Sequence, residues 1–278
     1  MKVFYQYKEL NAAKNKYPAK SIGLVPTMGA LHEGHITLVK RAVEENDLVL
    51  VSIFVNPTQF DNKNDLKNYP KTLESDLTKL QTLGGNVWVY APEADDLYNN
   101  KIEPRVYNFG KLETTMEGAH REGHFQGVAT VVQKLFEALK PTVAYFGEKD
   151  YQQLQIITAL VRQENIPVVI VSCPIIRHED GLAMSSRNKR LNMKERTMAP
   201  VIYEALQKAI ALKDIYSPPQ IESWITEFFA LQSEFDLEYF SIADSQTLEK
   251  VSALNGSKTR AFIAIKLGGV RLIDNIKF

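Results

Sequence analysis

The feature that most constrains the fold is an apolar run joined to a helical pattern by a short polar turn. Residues 21–25 are apolar and predict a buried strand, and apolar residues spaced by three and four across residues 36–43 predict an amphipathic helix. Between them, residues 26–35 form a strand-to-helix turn in which Gly29 and Gly34 are expected to let the backbone bend. Such turns lie at the carboxyl edge of a parallel sheet, where the following helix offers free N–H groups and a positive dipole end. This turn therefore predicts an anion-binding site.

The same alternation continues through the first half of the chain. Runs of apolar and β-branched residues predict strands at residues 48–55, 87–90, 142–146 and 166–171. Helical patterns lie between them, at residues 72–83 (ended by Gly84 and Gly85), 126–139 and from about residue 150. Alternating strands and helices predict an α/β fold with a Rossmann-like parallel sheet.

The pattern changes after Arg177. Helices are predicted at residues 194–212 and 218–231, and strands at residues 237–242, 260–266 and 270–273. Gly268 and Gly269 predict a tight antiparallel hairpin between the last two strands. We therefore expect a Rossmann-like domain over residues 1–176, followed by a smaller α+β domain over residues 177–278.

Composition limits the classes of function. Of 278 residues, 45% are hydrophobic and 24% are charged, as is usual for a globular domain. Thirty-three basic residues balance thirty-three acidic ones, which argues against a nucleic-acid or anionic-membrane partner. Cys173 is the only cysteine, so no intramolecular disulfide is possible and a reducing compartment is favoured. No signal-peptide core or run of about 20 apolar residues is evident, so we expect a cytoplasmic protein.

The turn carries two histidines, His32 and His35, separated by Glu33 and Gly34. The His-x-Gly-His pattern resembles the HIGH motif of the nucleotidyltransferase superfamily, and two imidazoles at a helix N-terminus suit a bound phosphate. The pattern favours a functional site, with two surface histidines or a pair of metal ligands as the alternatives. A zinc site is less favoured, because no cysteine or third histidine lies nearby in the sequence.

Three further stretches are more polar than folding alone requires. Asn56 and Gln59 follow the second predicted strand and could hydrogen-bond a polyhydroxy carboxylate without adding charge, although an Asn-Pro turn with a surface glutamine is an equal alternative. Residues 146–153 contain a lysine placed to meet a phosphate and an aspartate at a helix start, both of which also occur for structural reasons. Residues 180–188 place two serines and an arginine in a glycine-led loop, as a phosphate clamp or as a capped helix start.

Taken together, these stretches resemble the pantothenate synthetase (pantoate–β-alanine ligase) family over nearly the whole chain. The matching segments are LVPTMGALHEGH at 24–35, SIFVNPTQF at 52–60, NYPKTLESD at 68–76, REGHFQGVATVV at 121–132, FGEKDYQQL at 146–154, DGLAMSSRN at 180–188 and RLIDN at 271–275. Two positions depart from the family pattern: Glu122 stands where proline is usual, and Lys71 stands where arginine is common. The first change restores a backbone N–H and adds a negative charge.

The resemblance implies a ligation in two steps, in which pantoate and ATP form an enzyme-bound pantoyl adenylate and β-alanine then displaces AMP. It implies ATP contacts from Met28, Gly29, Ala30, Leu31, His32, Glu33, Gly34, His35, Gly147, Glu148, Lys149, Asp150, Ile176, Met184, Ser185, Ser186 and Arg187. Of these, His32, His35, Lys149 and Arg187 are the expected catalytic residues, with His35 the proton donor.

The resemblance also assigns the small substrates and the oligomeric state. Gln59 would bind pantoate and border β-alanine, Gln153 would bind pantoate, and Asn56 would help to fix both. Mg²⁺ is expected on the ATP phosphates, with Asp76 as a candidate contact of the metal, either as a direct ligand or through another ligand, and a homodimer is expected. The base that deprotonates β-alanine is left open.

Two other functions would share part of this pattern. A simple nucleotidyltransferase would use the histidine pair and the phosphate clamp but would not need Gln59 and Gln153. A non-catalytic nucleotide-binding module would explain the Rossmann-like half but not seven dispersed polar segments. A tRNA synthetase is disfavoured because the chain is short and neutral.

Overall fold

The computed structural model describes residues 1–60, 63–84, 86–98 and 105–278. This described part of the chain contains a six-stranded parallel sheet with helices and a three-stranded antiparallel sheet near the C-terminus. The predicted α/β fold class with a second, smaller α+β part is therefore confirmed.

The parallel sheet has the strand order β1-β4-β3-β2-β5-β6. Its strands are β1 (Lys2–Phe4), β2 (Ile22–Thr27), β3 (Leu48–Ile53), β4 (Val87–Tyr90), β5 (Val143–Gly147) and β6 (Val169–Cys173). From β2 the chain proceeds through β3 and β4 on one side, and β5 then pairs with β2 on the other. The strand order thus reverses between β2 and β5, and ligands of open α/β sheets bind outside the carboxyl ends at such a switch point.

Helices connect these strands and extend into the C-terminal part. They are α1 (Tyr7–Asn15), α2 (Glu33–Glu45), α3 (Lys63–Lys67), α4 (Leu73–Gln81), α5 (Ala94–Tyr98), α6 (Glu117–His120), α7 (His124–Leu139), α8 (Tyr151–Gln163), α9 (Met193–Met198), α10 (Val201–Ala211) and α11 (Pro218–Ala230). The apolar stripe of α2 packs on β2 and β3, where Val39 and Val51 are fully buried. This packing fixes the start of α2 beside the carboxyl end of β2.

The antiparallel sheet consists of β7 (Phe235–Asp244), β8 (Thr259–Leu267) and β9 (Val270–Lys277). Gly268 and Gly269 connect β8 to β9 with φ of +56° and +76°, so the predicted hairpin is confirmed. The apolar faces of α10 and α11 pack against this sheet and form a separate core.

Several predicted elements differ from the structure. The helix predicted over residues 194–212 is two helices, α9 and α10, because Pro200 lacks the N–H that a continuous helix would need. Gly34 lies inside α2 and does not form the bend expected of it. The short elements β1, α1, α3, α5 and α6 were not predicted, and Gly85 lies outside the described residues.

Contacts divide the chain into two units. The first comprises residues 1–109, 120–148 and 153–174, and the second comprises residues 110–119, 149–152 and 175–278. The predicted domain ranges, 1–176 and 177–278, place residues 110–119 and 149–152 in the first domain, whereas the structure groups them with the second unit. Within the second unit, Glu117 pairs with Arg271 on β9, a contact between residues far apart in the chain that no local periodicity indicates.

Within the described residues, no helix is long and apolar enough to cross a membrane.

Candidate active site

The turn between β2 and α2, taken with the last residue of β2 and the first three of α2 (residues 27–35), is called here the histidine loop. Gly29 and Ala30 have φ of +79° and +52°, so two successive residues occupy the left-handed region. A Cβ on Gly29 would lie 3.1 Å from Ile53 and 3.2 Å from Asp76, which leaves little room for a side chain. Glycine thus satisfies both the backbone conformation and the close packing.

Asp76 on α4 holds this loop from behind. Its carboxylate accepts hydrogen bonds from the backbone N–H groups of Ala30 and Leu31, at 2.8 Å each, and from the Thr72 hydroxyl at 3.1 Å. The Lys79 ammonium, one turn along α4, donates to the Leu31 carbonyl. The amides of Ala30 and Leu31 are therefore already bound within the protein and are not available to an anion.

The same geometry bears on the predicted metal site. Among the described residues, no group of three or more histidine, cysteine, aspartate or glutamate side chains is arranged to hold a metal ion. Asp76 is only 1% exposed, and both of its carboxylate oxygens accept hydrogen bonds. A direct ligand of Mg²⁺ needs an accessible oxygen, because the ion keeps several waters and demands octahedral geometry. Asp76 does not fit that role well, and its metal assignment stays a prediction.

The two histidines lie at the N-terminus of α2, His32 as the N-cap and His35 in the first turn. Their ring centroids are 4.1 Å apart, and the His32 backbone N–H donates to His35 Nδ1 at 3.3 Å. Because Nδ1 accepts, the proton of the neutral His35 ring is on Nε2, where it can be donated to an anion. The positive end of the α2 dipole favours an anion at the same place.

A second polar group, called here the amide cluster, consists of Asn56, Gln59 and Tyr98. The Asn56 side-chain nitrogen donates to Gln59 Oε1 and to the Gly127 carbonyl, at 3.1 Å each. The Tyr98 hydroxyl donates to Asn56 Oδ1 at 2.7 Å, and burial raises the pKa of Tyr98, so this donor keeps its proton. With Oε1 occupied, Gln59 presents its NH₂ group, which lies 3.1 Å from the sulfur of Met28 in the histidine loop.

In the second unit, Lys149 is held through its backbone. Its carbonyl accepts a hydrogen bond from the Asn275 side chain at 3.0 Å, and its ammonium lies 3.6 Å from the Asp150 carboxylate. Asn275 is 2% exposed. Asn275 therefore anchors the backbone of the lysine that the sequence predicts to meet a phosphate.

Residues 184–187, predicted as a phosphate clamp, lie in a braced loop of the second unit. The Met184 N–H donates to the Ile176 carbonyl at 2.9 Å, and Ser185 Oγ accepts from the Arg187 N–H at 3.3 Å, capping a short 3₁₀ turn. The guanidinium of Arg177 forms a two-pronged ion pair with Asp274 at 2.5 and 2.9 Å. The hydroxyl of Ser185 thus acts as a cap, the structural alternative weighed for this stretch, and can still donate its proton to an anion.

The predicted site residues divide between the two units. The first unit contains residues 28–35, Asn56, Gln59, Asp76, Gly147, Glu148 and Gln153, and the second contains Lys149, Asp150, Ile176 and residues 184–187. Met28, Asn56 and Gln59 meet within the first unit, as do Asp76 and the histidine loop.

Sequence reasoning assigned no role to His124, Tyr98 or Asn275. His124 and Asn275 fall within matched segments, which was the one signal available for them, whereas Tyr98 had none. Their contacts join residues between 42 and 126 positions apart in the chain.

Comparison with known proteins gives consistent similarities. The family model described as pantoate-beta-alanine ligase matches residues 2–277. A pantothenate synthetase of Christiangramia forsetii is 50% identical over 279 residues, covering 99% of each chain.

Two solved structures are similar over the same length. Pantothenate synthetase from Thermus thermophilus superposes with a TM-score of 0.93 at 41% identity, covering 100% of this chain and 99% of that one. Pantoate-beta-alanine ligase from Francisella tularensis, solved in complex with β-γ ATP and β-alanine, gives a TM-score of 0.83 at 38% identity and covers 100% and 97%. The similarity therefore includes both units.

Proposed function

The chain belongs to the pantoate–β-alanine ligase family, a family of ATP-using enzymes, and we propose that it joins pantoate to β-alanine through a pantoyl adenylate. The observation that carries this proposal is the contact between Met28 and Gln59. This contact joins the histidine loop, which suits phosphate, to an amide donor that suits a hydroxy acid.

In the first step, a pantoate carboxylate oxygen bonds to the α-phosphorus of ATP, and the bond from that phosphorus to the leaving pyrophosphate breaks. The carboxylate is already ionised at neutral pH, so no general base is needed. The difficulty is the approach of one anion to another while charge grows on the pyrophosphate. Hydrogen-bond donors and cations directed at the phosphates reduce this repulsion and stabilise the growing charge.

We assign these donors as follows. His35 donates from Nε2 at the start of α2, and His32 lies beside it. Residues 28–34 line the nucleotide with them, and Gly147 at the end of β5 and Glu148 directly after it lie on the other side of the switch point. Family resemblance supports phosphate contacts from Lys149, Ser185, Ser186 and Arg187, and further ATP contacts from Asp150, Ile176 and Met184.

The amide cluster would bind the small substrates. The Gln59 NH₂ group can donate to the carboxylate or a hydroxyl of pantoate, and Gln153 would bind the same molecule. A site built on such hydrogen bonds rejects analogues that lack a hydroxyl far better than apolar fit does. In the second step the β-alanine amine, having lost a proton, attacks the acyl carbon, and AMP leaves with the bonding electrons. No residue is assigned as the base for that proton.

Mg²⁺ would bind together with the ATP phosphates and would need few protein ligands of its own. Asp76 is not needed as one of them, because its carboxylate already accepts hydrogen bonds from the histidine loop. A homodimer and a cytoplasmic location are also proposed, on the family resemblance and on the composition respectively. Sedimentation of the purified chain tests the first of these.

The two-step reaction is tested by pyrophosphate–ATP exchange with pantoate present and β-alanine absent. Pantoate-dependent exchange is expected, because adenylate formation is reversible on the enzyme. Product analysis separates the alternatives: AMP is expected here, and turnover without AMP would instead indicate a simple nucleotidyltransferase. Absence of any turnover would leave only a nucleotide-binding module.

A further inference from the structure

A buried histidine at the start of α7 contacts the backbone of Gln59 in the amide cluster. His124, the first residue of α7, is 6% exposed. Its Nδ1 lies 2.8 Å from the backbone carbonyl oxygen of Gln59, and its Nε2 lies 2.9 Å from a guanidinium nitrogen of Arg121. Both ring nitrogens thus have partners, which are separated from His124 by 65 and 3 positions in the sequence.

These two partners determine the state of the ring. A guanidinium can only donate hydrogen bonds, so Nε2 of His124 must accept. A carbonyl can only accept, so Nδ1 must carry the proton and donate it to Gln59. The contacts therefore specify a neutral ring protonated on Nδ1, because a second proton on Nε2 would face the charged Arg121.

The first turns of α7 touch the Gln59 segment at a second point. A Cβ built on Gly127 would lie 2.3 Å from the Thr58 carbonyl oxygen and 2.7 Å from Gln59 Cα. The Gly127 carbonyl also accepts the Asn56 side-chain donor that orients the Gln59 amide. The backbone of Gln59 is thus held by His124, and its side chain is held by Asn56.

We propose that His124 is a positioning residue for the recognition of pantoate, acting through Gln59. This inference rests on the proposed function, since it supposes that Gln59 binds pantoate. Without the bond from Nδ1, the Gln59 carbonyl would lose its buried donor and the segment would shift, carrying the NH₂ group away from the substrate. Sub-ångström placement matters for such contacts, because hydrogen bonds weaken steeply with distance and angle.

Two conservative variants separate the roles of the ring nitrogens. In His124→Asn the side-chain nitrogen can occupy the place of Nδ1 and still donate to Gln59, whereas in His124→Gln it reaches toward the place of Nε2. We expect His124→Gln to raise KM for pantoate by about tenfold, the size of one lost hydrogen bond, with KM for ATP changed by less than about twofold. His124→Asn should restore most of the pantoate affinity. His120→Gln, the same change at an exposed histidine of the first unit, is the control and should leave both KM values unchanged.

The outcomes distinguish this inference from the proposed function. If the unaltered enzyme forms no AMP from ATP and pantoate, with or without β-alanine, the proposed function fails. If that enzyme is active but His124→Gln changes both KM values equally, or neither, then His124 does not act through Gln59 and only the present inference fails. Failure of His124→Asn to outperform His124→Gln would also overturn it.

A measurement on the unaltered protein does not depend on how the variants fold. Long-range ¹H–¹⁵N correlation spectra report which nitrogen of a histidine ring is protonated, and the chain has only five histidines to assign. A neutral His124 protonated on Nδ1 is expected. A ring protonated on Nε2, or on both nitrogens, would contradict the geometry on which the inference depends.

Discussion

At the scale of single residues, the site depends on which atom of each polar group is already occupied. His35 Nδ1 accepts from the backbone, so Nε2 is the donor, and Gln59 Oε1 accepts from Asn56, so its NH₂ group is the donor. Both side chains are thus directed by neighbours before any substrate binds. Such preorganised donors cost no rearrangement at the moment of reaction.

His35→Ala should slow adenylation by on the order of 10²–10³, because a donor aimed at growing phosphate charge is lost. Single-turnover formation of pyrophosphate with pantoate and ATP measures this step directly. His120→Ala, at an exposed position, is the matched control. A normal adenylation rate in His35→Ala would remove its assigned role as proton donor.

Gln59→Ala should raise KM for pantoate much more than KM for ATP, because its NH₂ group is assigned to the hydroxy acid. Steady-state kinetics with each substrate varied in turn tests this difference. Gln81→Ala, an exposed glutamine at the end of α4, provides the comparison. Equal effects of Gln59→Ala on both KM values would refute the assignment.

At the scale of elements, helices α4 and α7 shape the loops that follow β2 and β3. α4 holds the histidine loop through Asp76 and Lys79, and α7 holds Gln59 through His124 and the close approach of Gly127. Ala30, a non-glycine residue in the left-handed region, is uncommon and needs such support. These helices therefore determine the shape of loops that sequence reasoning could only locate.

Asp76→Asn should loosen the histidine loop, because an amide side chain places an NH₂ group against one of two backbone N–H donors. Hydrogen exchange of the Ala30 and Leu31 amides should accelerate in the protein without nucleotide or metal, and KM for ATP should rise. Glu74→Gln, an exposed neutralisation on the same helix, is the control. If exchange is unchanged and only the Mg²⁺ requirement moves, Asp76 is a metal ligand instead.

At the scale of the whole molecule, the second unit includes two segments from earlier in the chain, residues 110–119 and 149–152. Arg271 on β9 donates two hydrogen bonds to Glu117 at 2.7 Å and further bonds to Glu238. Burial alone would lower the pKa of Arg271, but its bonds to Glu117 and Glu238 outweigh burial and raise it. The Tyr239 hydroxyl, whose pKa burial and Glu117 raise well above the usual value, stays protonated and donates to Glu117. This network ties residues 110–119 to the C-terminal sheet.

Arg271→Met should reduce the free energy of unfolding by about 3–5 kcal/mol, because it leaves Glu117 buried without its cation. Denaturant unfolding of the full chain measures the change. Lys266→Met is the control: that side chain is 46% exposed and its ammonium lies 3.8 Å from Glu238, so its removal should cost about 0–1 kcal/mol. Equal costs for the two substitutions would mean that the buried network adds no particular stability.

How much of the fold the sequence predicts depends on the length and periodicity of each element. The strand at residues 87–90 and the helix over 126–139 are recovered nearly residue for residue, since their apolar patterns are continuous. Lys2–Phe4 and Glu117–His120 are too short for any period to be visible. The break at Pro200 is encoded locally, because proline is disfavoured inside a helix.

The sequence alone determined the alternation of strands and helices, the glycine turn after β2 and the histidine pair at the start of α2. These depend on residues close together in the chain, where spacing translates directly into geometry. Tertiary structure decided that Asp76 would bind the loop amides, that His124 would brace Gln59 and that Glu117 would join the second unit. Those contacts join residues 46, 65 and 154 positions apart, and only the packing of complete elements brings such residues within hydrogen-bonding distance.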